Sequence, residues 1–192
     1  MKTETILTDC DGVLLNWNKA FGYWMEKAGH KLIDDESYDI STRYGISKDA
    51  GVKAVLNFNH SSAVRDLPPQ DDAITFVKAL RQHGYRFSVI SSLSAHPLAR
   101  VRRIGNLTNV FGHDIFTEVI CLPIGLSKEE SLNPHRGSGR WWIEDKPENA
   151  ELGERMGLRS ILYNLPHNKN FKTNITRVND WCDIYDLITN SS

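Results

Sequence analysis

At 192 residues, the chain is long enough for one catalytic domain plus an insertion of a few dozen residues, and too short for two full domains. Lys and Arg number 23 against 24 Asp and Glu, a net charge of -1, so no global attraction to nucleic acid or an anionic membrane is expected and a small-molecule partner fits better. No window approaches the roughly 18 apolar residues of a membrane span, and Met1 to Thr5 lack an apolar signal core, so the expectation is a soluble, cytoplasmic protein.

The first apolar run, Thr5 to Thr8, reads as a buried strand and leads into Asp9-Cys10-Asp11-Gly12-Val13. Alternate side chains of an extended strand share a face, so Asp9 and Asp11 point together and Cys10 points opposite. Two converging carboxylates repel each other, and a divalent cation relieves that repulsion. Hard oxygen donors with little His or Cys nearby favour magnesium. Asp9 can attack phosphorus and form an aspartyl-phosphate, while Asp11 protonates the leaving oxygen and then activates water. Gly12 lets backbone amides approach phosphoryl oxygens. The competing reading is a strand ending in an ordinary polar Asp-Gly turn.

Residues 16–69 break the alternation of strands and helices and read as an inserted, mainly helical cap. The catalytic core is then assigned to residues 1–15 and 70–192. Within the insert Phe21, Trp24, Met25 and Ala28 form a stripe at helical spacing, and Leu67-Pro68-Pro69 marks the return. A helix is expected over Asp71 to His83, stopped by Gly84, and another from Pro147 to Gly157. Further strands are expected at Phe87 to Ile90, Glu118 to Leu122, Trp141 to Ile143 and Ser160 to Tyr163. The alternation predicts an α/β fold, a three-layer, Rossmann-like parallel sheet with its ligand crevice at the carboxyl ends of the strands.

Three further groups fall at such ends. Ser91, with Ser92 beside it, can hydrogen-bond a phosphoryl oxygen or simply serve a turn. Lys128 can neutralise a transferring phosphoryl group or sit solvated in a helix's first turn, and Arg100, Arg102 and Arg103 are rival cations that can equally form a solvated helix face or contact a second anionic group of a substrate. Glu144-Asp145 follow the apolar Trp141-Trp142-Ile143, with Asp145 suited to be a metal ligand and Glu144 to support it. Cys10, Cys121 and Cys182 are widely spaced beside apolar runs and read as reduced, buried thiols without a disulfide. The histidines show no metal-ligand spacing.

The order of Asp-x-Asp-Gly-Val, a strand ending in Ser, a Lys, and an apolar strand ending in acids resembles the haloacid dehalogenase superfamily of phosphohydrolases. That resemblance implies Asp9 as nucleophile and Asp11 as general acid and base. Gly12, Ser91, Ser92 and Lys128 become phosphate-binding residues, with Arg100 an alternative cation. Magnesium would be held by Asp9, Asp145 and the Asp11 main-chain carbonyl. The second aspartate sets dehalogenation aside. The opening Asp-x-Asp-Gly-Val-Leu, the nearby Trp17, and Ile161 to Asn168 are most similar to the 5'(3')-deoxyribonucleotidase branch. The chain departs from it in having Glu144-Asp145 for Asp-Asp, Ser91 for Thr and His167 for an aromatic ring. The branch resemblance makes Trp17, Phe21 and Trp24 candidates to stack on a nucleobase and a phosphomonoester such as a nucleoside monophosphate the partner, while the helical spacing of Phe21 and Trp24 equally suits plain packing. A phosphatase of nucleic-acid ends gripped by Arg100 to Arg103, and a phosphate-binding regulator without turnover, are the alternatives. The sequence indicates no oligomeric state.

Overall fold

A computed structural model of the protein describes residues 4–191. Strand β1 (Glu4–Thr8) is followed by three helices, α1 (Trp17–Lys27), α2 (Ile40–Tyr44) and α3 (Lys48–His60), and by a 3-10 turn at Ser62–Asp66. The chain then alternates through α4 (Ala73–Gln82), β2 (Tyr85–Ser92), α5 (Pro97–Phe111), β3 (Phe116–Leu122), the short α6 (Glu129–Leu132), β4 (Trp141–Glu144), α7 (Pro147–Arg155) and β5 (Arg159–Tyr163). It ends in β6 (Thr176–Val178) and α8 (Trp181–Asn190). Each strand and helix expected in the core is present, within a few residues of its expected bounds. β6 and α8 were not anticipated, since a three-residue edge strand carries too few residues to show a period.

The six strands form one sheet in the order β3-β2-β1-β4-β5-β6, with all pairs parallel. Alternating side chains build two cores. Ile6, Val89, Ile143 and Ile161 fall on one face with α4, α5 and α8, while Leu7, Ile90 and Trp142 fall on the other with Leu132, Met156 and Leu158. This is why the central strands read as unbroken apolar runs: both faces are covered. The strand order reverses at β1, whose neighbours on either side are β2 and β4. A crevice therefore opens beyond its carboxyl end.

The turn after β1 is held from several sides. Gly12 N–H donates to the Leu15 carbonyl at 2.9 Å, Gln70 Nε2 donates to the Gly12 carbonyl at 2.8 Å, and Trp181 of α8 donates from Nε1 to the Val13 carbonyl at 2.8 Å. Gly12 has φ +85°, and a Cβ there would run into the Asp145 carboxylate, whose Cγ would lie 2.8 Å away. Only glycine satisfies both conditions.

The inserted helices pack through an aromatic cluster. Trp17 stacks on Phe21 at 4.4 Å between centroids, and Phe21 meets Phe58 edge-on at 5.3 Å and Tyr44 at 5.8 Å. Asn59 Nδ2 donates to the Leu93 carbonyl at 3.1 Å, and Arg102 donates to the His60 carbonyl at 2.5 Å, fastening α3 to the turn after β2 and to α5. The three cysteines are free. Cys10 is buried as expected, but Cys121 is only partly covered and Cys182 is exposed because it lies on the outer face of α8.

Gly153 in α7 sits against Trp142 and Ser160, and a Cβ there would come within 2.7 Å of the Ser160 Oγ and closer still to the indole. Gly153→Ala is expected to lower stability by about 1–3 kcal/mol through overpacking, read as a lowered denaturant midpoint with an unchanged slope.

Candidate active site

The crevice is a cleft of about 990 Å³ between the carboxyl edge of the sheet and the inserted helices. Asp9 stands at its floor, the first residue beyond β1, with its N–H donating to the Ile143 carbonyl at 2.8 Å. That bond extends the β1–β4 pairing, in which Leu7 faces Trp142 and Thr8 faces Ile143, and it brings Asp9 beside Glu144 and Asp145. Carboxylate oxygens of Asp9, Glu144 and Asp145 all lie within 4.8 Å of one another.

Lys128 reaches into this group from the connection between β3 and α6. Its Nζ is 2.9 Å from Asp9 Oδ1 and donates to Glu144 Oε2 at 2.7 Å, and the side chain is 1% exposed. Burial alone would strip the ammonium of its proton, but attraction to Asp9 and Glu144 outweighs it and holds the group above its ordinary range. Burial raises Glu144 to about 7, reinforced by the Asp9 charge and opposed by Lys128. Asp145 is raised well above the carboxylate range, first by burial and then by Glu144 and Asp9. Crowded, buried carboxylates of this kind are what a divalent cation relieves. Three oxygen donors without sulfur or imidazole suit a hard ion such as magnesium.

Asp11 also faces the cleft, but its carboxylate turns to Arg103 of α5. Arg103 Nη1 is 2.6 Å from Oδ1, and Nη2 donates to Oδ2 at 2.9 Å. The same guanidinium donates to Cys10 Sγ at 3.1 Å. Burial raises Asp11, and Arg103 pulls it back. Asp9 and Asp11 thus each have a cation of their own, and the Asp11 side chain stands outside the group formed by Asp9, Glu144 and Asp145.

Several expected positions are revised by the geometry. Ser92 lines the cleft, whereas Ser91 is fully buried and its Oγ has no hydrogen-bond partner. Lys128 meets Asp9, while Arg100 donates to the Val119 carbonyl at 3.4 Å on the far side of α5, so Arg100 is no rival for the same place. Trp17 lines the cleft. Phe21 is buried in the aromatic cluster and Trp24 packs edge-on against Phe58, so neither presents a face to a ligand there. Nearly two turns of helix, about 10 Å of rise, separate Trp24 from Trp17 and carry it away from the opening.

The partner of Asp11 was not singled out in advance. Arg103 stands in the sequence beside Arg100 and Arg102 as one of three cations suited either to an anion or to a solvated face, yet Ala99, Arg103, Asn106 and Leu107 are, with Phe111, the buried positions of α5. Their i, i+4, i+7, i+8 spacing is the signal that separates Arg103 from its neighbours. His167, given no role, closes one side of the cleft with Nε2 3.5 Å from Asp145 Oδ2 and its ring against Tyr38 at 5.2 Å.

This is the fold of the haloacid dehalogenase-like hydrolases. A haloacid dehalogenase-like family hydrolase from Streptococcus pneumoniae superposes with a TM-score of 0.66 at 13% identity over 97% of this chain and 98% of that one. A predicted phosphatase from Clostridium acetobutylicum gives 0.67 at 14% identity over 99% and 100%. The D,D-heptose 1,7-bisphosphate phosphatase of B. bronchiseptica, complexed with magnesium and phosphate, gives 0.62 at 9% identity over 99% and 100%. No family model matches the sequence. An uncharacterised 32.4 kDa protein of Enterobacteria phage T4 is 32% identical over 133 residues, 66% of this chain and 47% of the phage protein. The chain thus spans about half the length of that curated relative.

Removing the guanidinium by Arg103→Met leaves the Asp11 carboxylate in a site built for its counter-ion. The expected loss is about 3–5 kcal/mol in chemical denaturation, with part of it recovered in the double variant that also carries Asp11→Asn.

Proposed function

We propose that the chain is a magnesium-dependent phosphomonoester hydrolase acting through an aspartyl-phosphate. The observation that carries this reading is the grouping of Asp9 with Lys128 at 2.9 Å and with Asp145 and Glu144, at the floor of a cleft that Asp11 also faces. In the first step Asp9 Oδ attacks phosphorus, the ester P–O bond breaks, and Asp11, having taken up a proton from solvent and turned from Arg103 toward the leaving group, gives that proton to the leaving oxygen. In the second, Asp11 takes a proton from water as that water attacks phosphorus. Inorganic phosphate leaves and Asp9 is regenerated. Lys128, Ser92 and the backbone at Gly12 hold the phosphoryl oxygens. Asp9, Asp145 and the Asp11 main-chain carbonyl would hold magnesium, with Glu144 keeping Lys128 in place; the ion supplies charge neutralisation for the phosphoryl group.

The inserted residues 16–69 act as a cap that shields the acyl-phosphate from premature water and selects the leaving group. Among substrates, nucleoside monophosphates come first, in keeping with the resemblance to the deoxyribonucleotidase branch and with Trp17 on the cleft wall as the aromatic available to a base. The reading as a phosphatase of nucleic-acid ends is weakened: Arg103 is buried on Asp11, Arg102 donates to the His60 and Ser61 carbonyls, and Arg100 donates to Val119, so the arginines are engaged within the protein.

The test is phosphate release from a panel of nucleoside monophosphates and sugar phosphates. Release is expected with magnesium and not with chelator, and Asp9→Asn is expected to abolish it. Release that survives the substitution would overturn the nucleophile assignment, and no release from any member would favour a phosphate-binding regulator. A binding readout accompanies it: magnesium should raise the melting temperature of the wild type and do so much less in Asp145→Asn. Trp17→Ala is expected to raise KM for nucleotides about tenfold while leaving KM for sugar phosphates within about twofold, in line with the worth of one stacked base.

A further inference from the structure

Arg43, near the end of α2, is a cation that the proposed hydrolysis does not use. Its residue surface is only 7% exposed, yet it lines the cleft. Nη1 donates to Asn18 Oδ1 at 3.2 Å, Nε has no acceptor, and among the described residues no carboxylate lies within ion-pair distance of the guanidinium. A guanidinium taken out of water without a counter-ion is costly, and buried charges are as a rule paired. The nearby acid, Asp39, is occupied at the start of α2, where it accepts from Thr42 N–H at 3.1 Å and from the Ser41 hydroxyl.

The acidic group on the cleft floor leaves Arg43 unclaimed as well. Lys128 pairs with Asp9 and Glu144, and Arg103 pairs with Asp11. Arg43 lines the same cleft as Asp9, Asp11, Glu144 and Asp145, and it comes from the side of the inserted helices. The cleft walls also include apolar side chains, Val52 and Leu56 from α3 and Ile124 and Leu126 from the connection that carries Lys128. At about 990 Å³ the space is large enough for a ligand with an anion at each end.

We propose that Arg43 anchors a second oxyanion, so that among phosphomonoesters the site prefers those whose leaving group itself carries a phosphate or a carboxylate, a nucleoside 3',5'-bisphosphate over the monophosphate included. A planar fork with a free Nε edge is the geometry that recognises either group. This inference rests on the hydrolase reading above for the phosphomonoester, but the anion site stands on Arg43 alone.

Two ligand series test it, by calorimetric binding to the Asp9→Asn protein with magnesium and by kcat/KM on the wild-type background. The first series is glucose 6-phosphate, 6-phosphogluconate and glucose 1,6-bisphosphate; the second is thymidine 5'-monophosphate and thymidine 3',5'-bisphosphate. In at least one series the ligand with the second anion is expected to bind about tenfold or more tightly than its partner. Arg43→Gln should erase that ratio and Arg43→Lys should narrow it. Whether the carboxylate or the second phosphate gains identifies the group. Should Arg43→Gln fail to fold, Arg43→Lys carries the same comparison. No gain in either series overturns the inference, as does an Arg43 variant that weakens all ligands equally, which would assign the guanidinium to the transferred phosphoryl group. Arg43-dependent binding without turnover would sink the hydrolase reading alone, and turnover without preference for a second anion would sink only this inference.

Discussion

The structure depends on one buried lysine. Lys128 stands between Asp9 and Glu144, itself 1% exposed and with Glu144 0% exposed, so its ammonium is satisfied by carboxylates rather than by bulk water. Three ionisable groups withdrawn from solvent are stable only because their mutual attraction exceeds the desolvation that opposes it. A well-packed apolar trio would serve stability as well or better, so such a network at the end of the central strands speaks for chemistry rather than for folding. The arrangement needs β1 and β4 side by side and a connection after β3 that returns across the carboxyl edge, and the sheet order supplies both.

A second buried pair stands beside the first. Arg103 comes from α5, a helix that crosses from β2 to β3, and it grips Asp11 from the face of the sheet opposite to α6, the helix that follows Lys128. The turn that carries both aspartates is therefore clamped by two cations from different elements. Gly12 lets the Asp145 carboxylate approach that turn, and Gln70 and Trp181 tie it to the return from the inserted helices and to the last helix. Segments far apart in the chain, residues 9–15, 70, 103, 128, 145 and 181, converge on a few ångströms of backbone, which makes the position of the carboxylates a property of the whole domain.

The inserted helices use their aromatic residues mainly on each other. Phe21, Phe58 and Tyr44 hold α1, α2 and α3 together, and Trp17 is both part of that stack and part of the cleft wall. Its indole N–H donates to Asn59 Oδ1 at 3.0 Å, and Asn59 in turn donates to the turn after β2. The wall and the sheet edge are thereby joined through one asparagine.

The core strands were legible because a strand covered on both faces leaves an unbroken apolar run, and the two carboxylates were legible because a period of two puts Asp9 and Asp11 on one side of the chain end. Glu144 and Asp145 stood out for a related reason, as acids following a strand with no polar residue in it. The edge strand β6 escaped notice because three residues show no period. Helical spacing marks Arg103 as the inward arginine of α5 and Phe21 as a packing residue, but local patterning could not say that Ser92 rather than Ser91 would face the cleft or that Arg100 would bond to β3 instead of entering it. Those outcomes depend on which elements become neighbours. The sequence by itself determined the alternating architecture and the acidic strand ends, since both follow from short-range periodicity; only the tertiary structure decided which cation meets which carboxylate, and that Arg43 meets none among the described residues, because charge pairing across the sheet edge is a matter of distances that the linear order of residues does not contain.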